Sequence, residues 1–318
     1  MKSILRKVTP SFLWRLLVFL NGYRKDWLFR LLDKKGFVAV RKSDYYSPLP
    51  IVEQIAKTQD RWNKPSALVG LRIDREKLEK QWEEMACKFQ AEYDILPVYE
   101  EIQKMGYGVG FTATDARTLY YMIRTIKPRR YIEVGSGIST FYTSLAGERN
   151  TEEGFPLDII CIEPYPRDNF RLIKNIEFHK NFVQDMPLSF FDRLEPGDVL
   201  FIDSSHAAKI DSDVVYELLE IVPRLKPGVY VHIHDIPFPY NFPHPADLYI
   251  FNRAEPQLWN EAYIVQAFLS FNQAFEIVQC VSYINHYHPE FVSRHIPERT
   301  NEVIYRNVIG SIWLRRIG

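Results

Sequence analysis

The chain has 318 residues, enough for one or two domains with a real hydrophobic core. Hydrophobic residues make up 46% and aromatic residues 14%, which excludes a disordered chain. Forty Lys and Arg balance forty Asp and Glu, so the net charge is zero, which excludes a globally basic nucleic-acid binder. The balance is uneven along the chain. Residues 1–42 hold eleven Lys or Arg and two Asp, a net of +9, so residues 43–318 carry −9.

Cys87, Cys161 and Cys280 are sparse, odd in number and form no CxxC pair. They read as buried thiols of a protein from a reducing compartment. No run of 18 apolar residues is present, so no spanning helix is expected. The apolar run Phe12–Leu20 is interrupted by Arg15 and lacks a small-residue cleavage site, so it does not read as a signal peptide. A cytoplasmic protein, in part peripheral to a membrane, is expected.

Residues 11–35 read as one or two amphipathic helices. Phe12, Leu16, Phe19 and Leu20 share a face, as do Trp27, Leu31 and Leu32. Such a basic arm suits docking on a membrane surface or partner, or packing on the body or in a homo-oligomer interface. Residues 43–70 read as irregular. Leu78, Trp82, Met85 and Phe89 predict a helix over 74–94. Gly106, Gly108 and Gly110 mark a loop, and Thr114 is read as the cap of a helix running to Ile126. Residues 1–110 thus form a basic arm and helical extension or lid, and 111–318 a second domain.

From residue 130 short apolar runs alternate with helical patterns. Strands are expected at 131–134, 158–162, 182–183, 199–202, 229–233, 275–280 and 311–314. Helices are expected at 139–146, 167–173, 188–194, 213–225 and 260–271. This alternation predicts an α/β fold with a doubly wound, mostly parallel sheet.

The first strand runs into Glu133-Val134-Gly135-Ser136-Gly137-Ile138-Ser139-Thr140. In an open α/β sheet, ligands bind beyond the carboxyl ends of the strands, and the two glycines admit close approach. A dinucleotide site would place a third glycine where Thr140 stands, and no GxxxxGK[ST] phosphate loop is present. Glu163 ends the second strand, placed for ribose hydroxyls. Gln184 and Asp185 follow the third, placed for an adenine edge.

Glu133-x-Gly135-x-Gly137, followed by Glu163 and then Asp185, resembles the class I S-adenosylmethionine-dependent methyltransferases over about residues 110–318. The resemblance implies a seven-stranded Rossmann-like sheet preceded by an N-terminal helical extension. It implies that Glu133, Gly135, Ser136, Gly137, Ser139, Thr140, Glu163 and Asp185 hold S-adenosyl-L-methionine. In that family the glycine loop passes the methionine end, the acid after strand two holds the ribose diol, and the acid after strand three meets the adenine amine.

Strand four ends as Asp203-Ser204-Ser205-His206, and strand five as His232-Ile233-His234-Asp235. Their ends lie beside the glycine loop, so these side chains can converge. Asp203, His234 and Asp235 resemble the cation set of metal-dependent O-methyltransferases, with a histidine among the oxygen ligands that Mg²⁺ prefers and a shift towards Mn²⁺, Fe or Zn. Alternatively His206 or His234, with Asp203, serves as a general base that takes a hydroxyl proton. His232 is expected to be structural. The aromatic, Pro-rich segment 237–245 reads as a substrate wall or lid. Asn260, Glu261 and Gln266 either face substrate hydroxyls or lie on the helix surface. His286 and His288 offer half a metal pattern without a partner.

The expected reaction is methyl transfer from S-adenosylmethionine to a hydroxyl of a small, hydroxyl-rich acceptor, such as a sugar or secondary metabolite, with no nucleic acid involved. A saccharide or small-molecule subgroup is an analogy. The competing readings are an NAD-dependent oxidoreductase and a non-catalytic scaffold that kept the fold.

Overall fold

Short runs of consecutive apolar residues become strands buried on both faces, as a parallel sheet between helix layers requires. A computed structural model of the chain describes residues 27, 30–37, 45–108, 110–167, 173, 176–295 and 310–318. They fall into two units, residues 1–58 and 59–318. In the first unit, residues 30–34 are helical, Trp27 and Leu31 are exposed, and α1 spans Val52–Ala56. Most of the expected arm over 1–42 lies outside the described residues.

The second unit opens with α2 (Gln59–Trp62), α3 (Arg75–Asp94), α4 (Tyr99–Lys104) and α5 (Ala113–Ile126). Strands β1 (Arg130–Val134), β2 (Asp158–Ile162), β3 (Ile176–His179), β4 (Val199–Ile202), β5 (Tyr230–His234), β6 (Phe275–Gln279) and β7 (Ser311–Arg316) form one sheet. Its order is β3-β2-β1-β4-β5-β7-β6. The first five strands are parallel, and β7 runs antiparallel between β5 and β6. The remaining helices are α6 (Ile138–Glu152), α7 (Asp213–Tyr216), α8 (Glu261–Leu269), α9 (Val281–Tyr287) and α10 (Pro289–His295). This is the expected seven-stranded Rossmann-like sheet. The strand order reverses between β1 and β4, so a crevice opens at their carboxyl ends.

Helix α3 is set by Asp74, whose side chain accepts a hydrogen bond from the Lys77 amide, and by Leu78, Trp82 and Met85, which are buried. Trp82 packs edge-on to Phe291 and tilted against Tyr121, so truncating it to alanine costs about 3–5 kcal/mol. Arg124 on α5, almost fully buried, pairs with Glu92 of α3 at 2.7 Å and with Glu153 after α6. Removing either carboxylate leaves part of a buried guanidinium charge uncompensated.

Several expectations are corrected in detail. The third strand lies at Ile176–His179, and Val183–Asp185 is a 3₁₀ turn, not a strand. Glu177 and His179 point polar groups outward from an edge strand and conceal its apolar pattern. Helix α5 is capped by Thr112, whose hydroxyl accepts from the Asp115 amide, not by Thr114. The 213–225 helix passes from α into a π turn over Glu217–Ile221 and a 3₁₀ turn at Val222–Arg224, where Pro223 removes a helical donor. Helix α6 runs to Glu152, beyond the expected 146. Cys87 is exposed, whereas Cys161 and Cys280 are buried. The expected 167–173 helix falls mostly outside the described residues. No helix among the described residues is long and apolar enough to cross a membrane.

Candidate active site

Glu133, at the end of β1, is fully buried. Its Oε1 accepts from the Ser139 hydroxyl at 2.5 Å, and the Cys161 thiol lies 3.7 Å from Oε2. Burial pushes the carboxyl up to about 8, against the pull of Ser139 and Thr140. Gly135 follows with φ +85°, and its amide bonds the carbonyl of Ile162 on β2. The Gly137 amide donates to the Thr140 hydroxyl at 3.1 Å, which caps the start of α6. Ser136 Oγ is buried and makes no hydrogen bond among the described residues, as a group awaiting a polar ligand would.

Glu163, half-buried after β2, accepts from the Tyr165 amide at 2.7 Å. Tyr165 and Phe182 meet edge to face at 5.9 Å, and both are exposed beside it. Asp185 is exposed in the turn after β3. Glu163 and Asp185 therefore stand along the rim that leads away from the glycine loop.

The amide of Asp203 bonds the carbonyl of Val134, which brings the end of β4 against the loop of β1. Three side chains then converge. His206 Nε2 lies 3.4 Å from Asp203 Oδ1 and 3.3 Å from Asp235 Oδ2. One donor atom from each residue fits within 4.8 Å of the others. His206 and Asp235 both hold left-handed backbone, at φ +57° and +56°, a strain that non-glycine residues bear chiefly at functional sites.

His234, expected as a ligand, sits beneath this trio. It is buried, with Nδ1 3.2 Å from Asp203 Oδ1 and 3.7 Å from Asp235 Oδ2, and Nε2 3.5 Å from Asp115 Oδ2. Phe111 lies tilted over its ring at 4.6 Å. Asp115 is also buried and accepts from the Thr112 hydroxyl at 2.7 Å. Sequence reasoning missed Asp115. Thr112-x-x-Asp115 is a visible helix-capping pattern, but only the fold aims its carboxylate at His234.

Electrostatics bind the cluster together. Burial alone would lower both imidazoles, but the carboxylates of Asp203, Asp235, Glu261 and Asp115 outweigh it and hold both well above the ordinary histidine value. Burial would raise Asp203, but His234 and His206 hold it well below the usual carboxylate range. Burial raises Asp235 and Glu261. The three donors, one imidazole nitrogen and two carboxylate oxygens, suit a divalent cation once His206 Nε2 gives up its proton, with the imidazole favouring Mn²⁺ over Mg²⁺.

The other candidates settle elsewhere. His232 is sealed in the sheet, stacked on Trp313 at 4.1 Å, with neither nitrogen hydrogen-bonded among the described residues. His288 pairs with Glu79 at 3.0 Å, and His286 packs edge-on to Tyr240. Asn260 and Glu261 do not face outward to hydroxyls; both grip the His206–Ala208 turn. Gln266 accepts from Asn241 at 3.2 Å. The 237–245 segment forms an aromatic wall, with Tyr240 stacked on His244 at 3.5 Å and Phe242 against Trp62 at 4.9 Å.

Residues 132–236 match the family described as a methyltransferase domain. They span β1 to β5 and hold both the glycine loop and the Asp203–Asp235 cluster. Over that segment the chain is similar to a methyltransferase domain. A protein of Archaeoglobus fulgidus without assigned function is 28% identical over 162 residues, 48% of this chain and 72% of its own length. An O-methyltransferase of Streptomyces achromogenes involved in tomaymycin synthesis, solved with S-adenosylmethionine, is 16% identical at a TM-score of 0.41, covering 84% of this chain and 96% of its own. A putative O-methyltransferase of Klebsiella pneumoniae is 14% identical at 0.42, covering 76% and 99%.

Proposed function

We propose that this chain moves the methyl group of S-adenosylmethionine to a hydroxyl oxygen of a small, hydroxyl-rich acceptor, with a divalent cation held by Asp203, His206 and Asp235. The observation that carries this reading is the convergence of those three side chains, within 4.8 Å, beside the glycine loop at the switch point of the sheet. In the reaction an S–CH₃ bond breaks and an O–CH₃ bond forms. The sulfonium becomes a neutral thioether, and the hydroxyl proton passes to solvent water.

The residues of the loop bind the donor. In this reading the Gly135–Gly137 backbone makes room for it, Ser136 Oγ meets its polar end, and Glu163 and Asp185 take the ribose and the base. Transfer from a sulfonium needs mainly an aligned attack, which a rigid strand-end site supplies. The remaining task is to make a hydroxyl nucleophilic at neutral pH. A divalent cation, when bound, supplies Lewis acidity that lowers the hydroxyl pKa.

Unaided base catalysis by His206 fits less well. Its imidazole lies among the carboxylates of Asp203, Asp235 and Glu261, which outweigh burial and hold it well above the ordinary histidine value, the wrong direction for a group that must take a proton. The aromatic wall reaches the centre through Tyr249, 5.7 Å from Trp259, which lies 4.7 Å from His206. Flat apolar faces beside a polar centre suit the ring of a sugar or an aromatic alcohol.

The test is calorimetric titration of the full chain with S-adenosylhomocysteine, followed by transfer of labelled methyl to a panel of hydroxyl compounds with and without Mn²⁺. A folded protein that binds no S-adenosylhomocysteine below about 1 mM would sink the proposal.

A further inference from the structure

We propose that Glu261 is the positioning residue of the centre: with the first turn of α8 it clamps the His206 turn and fixes which imidazole nitrogen faces Asp203 and Asp235. This rests on the cation reading above and assigns a role to a residue outside the matched 132–236 segment.

Five hydrogen bonds make the clamp. The amides of Asn260 and Glu261 both donate to the His206 carbonyl, at 3.0 and 3.3 Å. The Asn260 side chain takes the Ala208 amide at 2.6 Å and gives to the Ala208 carbonyl at 3.2 Å. Glu261 Oε2 meets His206 Nδ1 at 2.8 Å. The turn so held is the one in which His206 takes left-handed backbone, so the strain is borne by contacts from a helix 55 residues away.

The last contact decides the chemistry. A proton shared between Nδ1 and the Glu261 carboxylate occupies that nitrogen. Nε2 is then the atom presented at 3.3–3.4 Å to the Asp235 and Asp203 carboxylates. Imidazoles that bind cations commonly donate their other N–H to a carboxylate, which sets the tautomer and raises donor strength. Glu261 is 1% exposed and its Oε1 has no hydrogen-bond partner among the described residues, so the carboxylate serves His206 and not solvent or a second side chain. A carboxyl buried at such cost without an ion pair elsewhere is accounted for by this contact.

Three variants of the full chain test the role: Glu261→Ala, Glu261→Gln and Glu261→Asp. Mn²⁺ titration read by electron paramagnetic resonance should show affinity reduced about 10–100-fold in Glu261→Ala. The loss should be smaller in Glu261→Gln, which keeps an acceptor, with partial rescue in Glu261→Asp. Affinity for S-adenosylhomocysteine should be unchanged in all three, which also certifies folding. Nitrogen-15 imidazole spectra of the cation-free chain give a second readout: the His206 Nδ1–H proton should resonate far downfield in the parent, as a proton shared with a carboxylate does, and move upfield in Glu261→Ala. If the parent binds no Mn²⁺, the cation reading fails, and the imidazole spectra alone decide the role of Glu261. An unchanged Nδ1–H signal, or parent-like Mn²⁺ affinity in Glu261→Ala, overturns the proposal.

Discussion

The carbonyl oxygen of Asp203 lies 2.2 Å from the point where a β-carbon on Gly135 would stand. The glycine of the loop is therefore what lets the ends of β1 and β4 meet and the candidate centre form beside the donor loop. Gly135→Ala has to move the Asp203 backbone and also place an alanine at φ +85°. Its expected cost is about 3 kcal/mol or more, with loss of S-adenosylhomocysteine binding. Gly154 provides the control. It has φ +88° but nothing within 4 Å of its own β-carbon position, so Gly154→Ala should cost only about 1–2 kcal/mol. Denaturant titration of both variants measures the difference, and equal costs would show that the close approach is not what requires Gly135.

Asp235→Asn isolates charge from shape at the centre. Asparagine tolerates the left-handed backbone that Asp235 adopts at φ +56°, so the strand end should keep its form. One carboxylate of the Asp203–His206–Asp235 cluster loses its negative charge. Turnover is expected to fall by about 100-fold or more, as for loss of a group that acts on the reacting hydroxyl, with donor binding unchanged. Wild-type-like turnover in Asp235→Asn would remove Asp235 from the chemistry.

The sheet was legible where its strands are buried on both faces. Ile159–Ile162 and Val199–Ile202 are continuous apolar runs because a parallel sheet between helix layers demands them. β3 was not, because an edge strand alternates polar groups and the nearby Phe182-Val183 gives a stronger apolar signal from a turn. At the site, the strand-end residues Asp203, His206, His234 and Asp235 were legible from their place after apolar runs. Their arrangement was not. Nothing in the local pattern distinguishes His206, whose Nε2 lies between Asp203 and Asp235, from His234, which turns Nδ1 to the same two carboxylates and Nε2 to Asp115. Glu261 reads on its own as a helix-start acid, and only the 55-residue return of the chain to His206 gives it a partner.

Glu133 carries a pH dependence of definite sign. Its carboxyl is ordinary in the unfolded chain, at 4.5, and about 8 in the fold because burial disfavours the charge. The folded state therefore binds the proton more tightly. The associated stability is fully present below about pH 4.5 and is lost as pH rises towards about 8. Glu133→Gln keeps an acceptor for the Ser139 hydroxyl and cannot ionise. The melting temperature of the ligand-free variant should fall less between pH 5 and pH 8 than that of the parent. Parallel curves would mean that Glu133 is ionised in the fold throughout.

His232 and His234 are neighbours on the same strand with opposite expectations. His232 faces Phe201 at 4.5 Å and Trp313 at 4.1 Å, and burial drives it well below the ordinary histidine value, so it is a neutral ring with two unmet polar atoms. An apolar replacement removes those atoms without stranding a partner, so His232→Leu should change stability by no more than about 1.5 kcal/mol and leave donor binding intact. His234 is the cationic neighbour of both Asp115 and Asp203. His234→Leu takes the imidazole from three carboxylates, Asp203, Asp235 and Asp115, the last in full burial. Breaking a buried pair in this way costs about 3–5 kcal/mol, so His234→Leu should unfold well before His232→Leu in urea. Comparable midpoints would show that the Asp115–His234–Asp203 stack is not an ionic one.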